Sequence, residues 1–150
     1  MDNIAYVSLG TIHSAAITTD GSLYMWGSNS VGQLGNGTKD NSSIPVKVMD
    51  DVAFVSLGNL HSAAITTDGS LYTWGNNTFG KLGNGTTEHS FTSVKIMDNA
   101  ASVSLGIDHS AAITTDGGLY MWGSNIFGEL GNGTTEESFT PIKITIPPET

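Results

Sequence analysis

The sequence predicts an all-β protein made of β-propeller blades, with four antiparallel strands to a blade and three blades to the chain. Three observations carry this expectation. The stretch His-Ser-Ala-Ala-Ile-Thr-Thr-Asp-Gly opens at His13, His61 and His109, a constant interval of 48 residues. When residues 2–49, 50–97 and 98–145 are aligned, 28 of 48 positions are identical in all three copies, and only the tail 146–150 falls outside. Glycine and β-forming residues are dense, and no 3.6-residue periodicity survives beyond a few residues, so a radial stack of short strands fits a repeat of this length better than a helical pair. Residues 1–150 therefore read as a single repeat array with no room for a separate catalytic domain.

Within each unit, Asp20-Gly21, Asp68-Gly69 and Asp116-Gly117 separate two β-prone runs and suit a two-residue type I′ hairpin turn, in which both central residues need φ > 0. Such a turn pairs Thr18 with Leu23, Ile17 with Tyr24, Ala16 with Met25 and Ala15 with Trp26. One face then carries Ala15, Ile17, Tyr24 and Trp26, and the other Ala16, Leu23 and Met25, so the sheet is apolar on both sides and expected to be sandwiched. Ala15 opposite Trp26 suggests a wedge-shaped layer, and Thr73, which replaces Met25 and Met121, marks a weaker contact in the middle copy. The unit is completed by Pro45–Met49, whose Pro and Lys suit an outer edge, and by the apolar Val52–Leu57.

Composition excludes several partners. Five Lys, no Arg and fourteen Asp plus Glu give a formal net charge of -9, a field that repels phosphate backbones and anionic lipid. Neither nucleic acid nor a membrane surface is expected. The absence of Cys rules out a disulfide framework and leaves the compartment open between cytoplasm and the secreted or cell-surface space, with no targeting signal in the chain.

The residues Leu9-Gly10-x-x-His13-Ser14-Ala15-Ala16-Ile17, Asp20-Gly21-x-Leu23-Tyr24-x-Trp26-Gly27-x-Asn29 and Gly32-Gln33-Leu34-Gly35 strongly resemble the regulator of chromosome condensation repeat, and the match recurs in all three units. The third unit repeats Pro45 as Pro141; the second departs with Ser93. The resemblance implies a propeller, usually of seven blades, and roles that include nucleotide exchange on a small GTPase, chromatin binding, β-lactamase inhibition and scaffolding. Those roles reside in loops that the repeat signature does not encode.

Three blades fall short of a ring and leave apolar faces open at both ends. The strand at Ile4–Leu9 lacks a preceding unit to pair with, and Pro141–Ile146 lacks a following one. Two copies joined head to tail would close a six-bladed homodimer through a seam of Ile4, Tyr6, Val7, Ile142, Ile144 and Ile146. A longer protein with more repeats is the competing explanation.

No catalytic, cofactor or metal site is expected. His13, His61 and His109 recur because the unit is duplicated, and each ring is expected to bond to backbone at a blade edge rather than to bind metal. The loop from Gly32 to Thr38 lacks the Lys-Ser or Lys-Thr ending of a phosphate cradle and reads as a turn with Leu34, like Leu82 and Leu130, tucked inward. Asp20, Asp68 and Asp116 are turn residues, without the alternating carboxylates of a calcium loop. Asn36, Asn84 and Asn132 open glycosylation-type triplets that matter only in a eukaryotic secretory route.

Positions that differ between copies point to binding more than positions that are shared. They are Thr11 and Ile12 against Asn59 and Leu60 and against Ile107 and Asp108, then Gln33 against Lys81 and Glu129, with Phe79 and Phe127 either serving as aromatic anchors or packing against the next blade. These loops form the candidate surface for an unknown protein partner. The resulting expectation is a non-catalytic, self-assembling propeller scaffold. The alternatives are a glycan-binding propeller lectin using exposed Trp26-type rings, a piece of a longer propeller with an exchange or inhibitor role, and a duplicated or designed array with no evolved ligand.

Overall fold

The computed structural model describes residues 2–149. The first blade comprises β1 (Ile4–Leu9), β2 (His13–Thr18), β3 (Leu23–Gly27) and β4 (Ser42–Met49). The second comprises β5 (Val52–Leu57), β6 (His61–Thr66), β7 (Leu71–Gly75) and β8 (Ser90–Met97). The third comprises β9 (Ala100–Leu105), β10 (His109–Thr114), β11 (Leu119–Gly123) and β12 (Ser138–Ile144). Each set of four forms its own sheet in sequential order, and every pairing is antiparallel. The first strands pack on one another, β1 on β5 and β5 on β9, which places them at the narrow inner side of the stack. This is the expected all-β blade architecture.

The end strands do have partners, contrary to the sequence reading. β1 pairs with β2 and β12 pairs with β11, so both end strands find a partner inside their own blade. What distinguishes the two ends of the array from its internal boundaries is an uncovered sheet face.

The hairpin turn also differs from expectation. Gly21 N donates to Thr18 O at 2.9 Å, Thr18 N donates to Ser22 O at 3.0 Å, and only Gly21, at φ 86°, takes positive φ. This is a three-residue loop, a tight turn followed by one left-handed glycine. The Thr18 hydroxyl and the Ser22 amide both donate to the Asp20 carboxylate. These bonds hold the Asp20 carboxyl below its usual range and fix the longer loop.

One extra loop residue moves the pairing by one position. Ile17 lies opposite Leu23, Ala16 opposite Tyr24, Ala15 opposite Met25 and Ser14 opposite Trp26. The faces are therefore Ala15, Ile17, Leu23 and Met25 on one side, and Ser14, Ala16, Tyr24 and Trp26 on the other. The proposed Ala15–Trp26 wedge does not exist.

The corrected faces explain the core. Ala15, Ile17, Leu23 and Met25 of the first blade pack against Val55, Leu57, Ala64 and Trp74 of the second, with Leu34 and Val52 closing the layer. Ala63, Ile65 and Leu71 of the second blade pack in the same way against Val103, Ala112 and Trp122 of the third. Thr73 is fully buried in this second layer, and its hydroxyl donates to Leu82 O at 2.7 Å, so the polar substitution is satisfied.

Candidate functional site

The residues shared by all three copies build the boundary between blades. Trp74 Nε1 donates to Gln33 O at 3.0 Å, and the Ser62 hydroxyl donates to the same carbonyl at 2.7 Å. At the next boundary Trp122 Nε1 donates to Lys81 O at 2.9 Å, joined by the Ser110 hydroxyl at 2.7 Å. One main-chain carbonyl in each of the first two long loops is thus clasped by two side chains of the following blade. Because the loop carbonyl is buried, leaving it unpaired would be unfavourable, so the clasp fixes blade spacing as well as adding hydrogen bonds.

The histidines extend the clasp. His13 Nε2 lies 3.0 Å from Ser62 Oγ, and His61 Nε2 lies 3.1 Å from Ser110 Oγ. Each serine hydroxyl gives its hydrogen to the carbonyl, so it accepts from the imidazole, and Nε2 carries the ring proton. The hydrogen-bond partner of each ring is a serine of the next blade, and for His13 the main chain of His61 in that blade also acts on the ring, opposing the effect of burial. Nδ1 of both rings is buried without a partner, and a Cβ added at Gly10 would lie 2.6 Å from His13 Nδ1, so glycine is required by close approach. Burial pushes the His13 pKa down to about 4 and that of His61 well below its ordinary value. Among the described residues, no group of three or more His, Cys, Asp or Glu is placed to hold a metal ion.

A buried asparagine organises each long loop. Asn77 Nδ2 donates to Thr86 O at 2.9 Å and Glu88 O at 3.0 Å, and its Oδ1 accepts from Leu82 N at 2.9 Å. Asn29 and Asn125 repeat the pattern. Leu34, Leu82 and Leu130 tuck inward as expected. The asparagine role went unread in the sequence, although its invariance within the Trp-Gly-x-Asn stretch was the available signal.

Antiparallel connectivity sends the β1–β2 and β3–β4 loops to one side of the array and the β2–β3 turns to the other. All the candidate binding residues consequently lie on the loop side. An open groove of about 390 Å³ gathers Thr11, Asn59 and Ile107 from the three successive β1–β2 loops, with glycines 10, 58 and 106 between them. Asn59 N donates to Gly106 O at 3.4 Å and ties two of these loops together. Ile12 and Ile107 are exposed, Leu60 and Asp108 half-buried. Phe127 projects into solvent at 92% exposure, whereas Phe79, at φ 63°, is half-buried.

Gln33 and Lys81 do not belong to that surface. Both are buried at the blade boundary, at 0% and 1% exposure, and Lys81 Nζ meets Asp108 Oδ1 at 2.9 Å and Ile107 O at 3.2 Å. Variation between copies here reflects changing contacts with the next blade, not contact with solvent. Glu129, at the corresponding position of the third blade, is half-exposed and accepts from Phe127 N at 2.8 Å and Ser124 Oγ at 3.0 Å.

The seam residues divide. Ile4 and Val7 are exposed on the leading side of the first blade, as Val52 and Val55 are on the second, where the first blade covers them. Tyr6 faces the opposite way, with its ring centroid 5.2 Å from that of Phe54, because it pairs with Ile17. Ile144 is buried opposite Leu119, Ile142 is half-buried, and Ile146 is exposed beyond the last strand. Tyr6 is therefore removed from the seam, whereas Ile144 shares the trailing face with Leu119, as its copies Val48 and Ile96 share the internal boundaries. Trp74 and Trp122 are buried with their indole N–H groups spent on carbonyls, which disfavours these two rings as stacking platforms for a glycan, whereas Trp26 is half-buried on the open leading face.

Comparison with known proteins matches this construction. The family model described as "Regulator of chromosome condensation (RCC1) repeat" matches residues 20–65, 68–113 and 116–150, and a second model of the same repeat matches 4–33, 52–81 and 100–129. The X-linked retinitis pigmentosa GTPase regulator of Mus musculus is 51% identical over 47 residues, 31% of this chain and 5% of that protein. The E3 ubiquitin-protein ligase HERC2 of Homo sapiens is 39% identical over 46 residues, 31% of this chain and 1% of that protein. Among solved structures, Prp20p from Saccharomyces cerevisiae superposes with a TM-score of 0.86 at 24% identity, over 96% of this chain and 39% of its own. Yeast RCC1 (Prp20) bound to Kap60 gives 0.85 at 25% identity, over 96% and 37%. The chain thus spans well under two thirds of the length of each relative. With three matched repeats covering most of its residues, the chain belongs to the regulator of chromosome condensation (RCC1) repeat family.

Proposed function

We propose that the chain is a non-catalytic propeller segment that binds a protein partner through its loop side, while further blades cover its two open sheet faces. The observation that carries this reading is the division of labour within the repeat. The clasp, the loop-organising asparagine and most of the interblade core are built from residues common to the three copies, whereas Thr11, Asn59 and Ile107, which differ between copies, line one groove on the loop side. A surface of this kind can change its partner without changing the fold.

The open faces support the second half of the reading. The uncovered leading face of the first blade presents Val7, Leu9, Ser14 and Trp26, and the uncovered trailing face of the third presents Ile113, Leu119 and Met121. These are the residues, copy for copy, that meet at the internal boundaries. Blade-type surfaces therefore fit both ends, whether supplied by a second copy in a six-bladed ring or by additional repeats.

Affinity capture from source-cell extract with immobilised chain tests the loop-side claim. Ile107→Glu and Phe127→Glu are expected to abolish retention of the captured protein, and Thr19→Glu on the turn side to leave it intact. Equal retention by all three variants contradicts the reading. A nucleotide-release assay on a captured GTPase distinguishes exchange from scaffolding.

A further inference from the structure

The position occupied by Gln33, Lys81 and Glu129 sits where each blade meets the next. A Cβ added at Gly75 would lie 3.2 Å from Gln33 Cα, and one at Gly123 would lie 3.3 Å from Lys81 Cβ, so the following blade lies directly upon this residue. The residue it faces is set by the next β1–β2 loop. Lys81 faces Asp108, an ion pair at 2.9 Å with the lysine side chain 2% exposed. Asp108 aligns with Leu60 in the second blade and with Ile12 in the first. At the first boundary, accordingly, neutral Gln33 is matched by an apolar loop residue and its Nε2 finds no partner, which is unfavourable but far less so than an unpaired buried charge.

Charge therefore matches across each internal boundary: neutral with apolar at the first, cation with anion at the second. Glu129 brings an anion to the third. The Glu129 carboxylate keeps two hydrogen bonds in its own loop, from Phe127 N and Ser124 Oγ, but covering it with a blade that offers no cation buries a net charge without a counter-charge, which is unfavourable. A second unmodified copy would place Ile12 there.

We infer that Glu129 selects the blade that seats on the trailing face of this chain, and that the selected blade carries Lys or Arg in its β1–β2 loop at the position of Asp108. This rests on the reading that the open faces take further blades, and it identifies which blade fits. An unmodified second copy is the wrong occupant for the trailing face.

The test uses the full chain with Ile12→Lys, a change at an exposed position, and measures self-association by sedimentation velocity at low salt. The substituted chain is expected to associate at least about tenfold more tightly than the parent, the scale of one close charge pair, and Glu129→Gln in the same chain to return it to the parent level. No gain on Ile12→Lys, a gain that survives Glu129→Gln, or tight association of the parent chain insensitive to Glu129→Gln each overturns the inference. Loop-side capture of a partner would be unaffected by these outcomes, so failure here is separable from failure of the binding proposal. A second measurement works inside one molecule: Gln33→Glu with Leu60→Lys should be more stable than the sum of the single changes allows, and strict additivity would also overturn it.

Discussion

The indole N–H of Trp74 reaches across the first blade boundary and donates to the main-chain carbonyl of Gln33 at 3.0 Å. Trp122 repeats the reach to Lys81. A sheet face is apolar and tolerates small sliding motions, so the hydrogen bonds at its rim set where the next blade stops. The hydroxyl of Ser62 and the ring of His13 complete that rim. Replacing Trp74 by Phe keeps much of the apolar contact and removes the indole bond, and is expected to lower stability by about 1–2 kcal/mol. Trp74→Ala should lower it by about 3–5 kcal/mol through the added cavity. Urea unfolding of the two variants checks the difference.

Stability should fall as the solution is acidified. His13 and His61 are held neutral in the fold with pKa values below the ordinary 6.5, so the unfolded chain binds more protons as pH drops below that value. Their contribution is fully present above pH 6.5 and is lost progressively toward pH 4, on the order of 2–3 kcal/mol for a ring as depressed as His13. Thermal melting between pH 7.5 and 4.5 measures this. His61→Gln, which can still donate to Ser110, should flatten the pH dependence.

The Lys81–Asp108 pair should behave as a unit. Asp108→Ala strands a buried ammonium and is expected to cost about 1–3 kcal/mol, less than for a fully buried pair because Asp108 is partly exposed. Lys81→Gln combined with Asp108→Leu copies the first boundary, Gln33 with Leu60, and should be close to neutral. Denaturation of the single and double variants decides it.

Asn77→Ala should loosen the whole long loop of the second blade. The side chain supplies bonds to the Thr86 and Glu88 carbonyls and accepts from the Leu82 amide, so its removal leaves the buried Leu82 amide and two loop carbonyls without their partner at once. Hydrogen exchange across residues 78–89 should accelerate while β6 and β7 stay protected. Uniform acceleration across the blade would contradict a local role.

The repeat interval and the β-rich composition were enough to read the blade, its four strands and the inward leucines. The hairpin register was misread because Asp-Gly alone favours a two-residue turn, whereas the Thr18 and Ser22 hydrogen bonds to Asp20 stabilise a three-residue one. Every face assignment followed from that single position. Gln33 and Lys81 differ from expectation for another reason: variation between copies does not imply exposure, since position 81 varies together with position 108 because the two touch. Such paired change is a signal of contact between units, and it becomes visible only when one repeat is compared with the next instead of position by position.

The interblade clasp closes at both internal boundaries, and its two halves stand open at the ends of the array. Amide-type hydrogen exchange of the three indole N–H groups, followed by nuclear magnetic resonance on the isolated chain, examines this most directly. Trp74 and Trp122 should exchange slowly, and Trp26, on the uncovered face of the first blade, should exchange fast. Equal protection of all three indoles, or rapid exchange at Trp74, would contradict it.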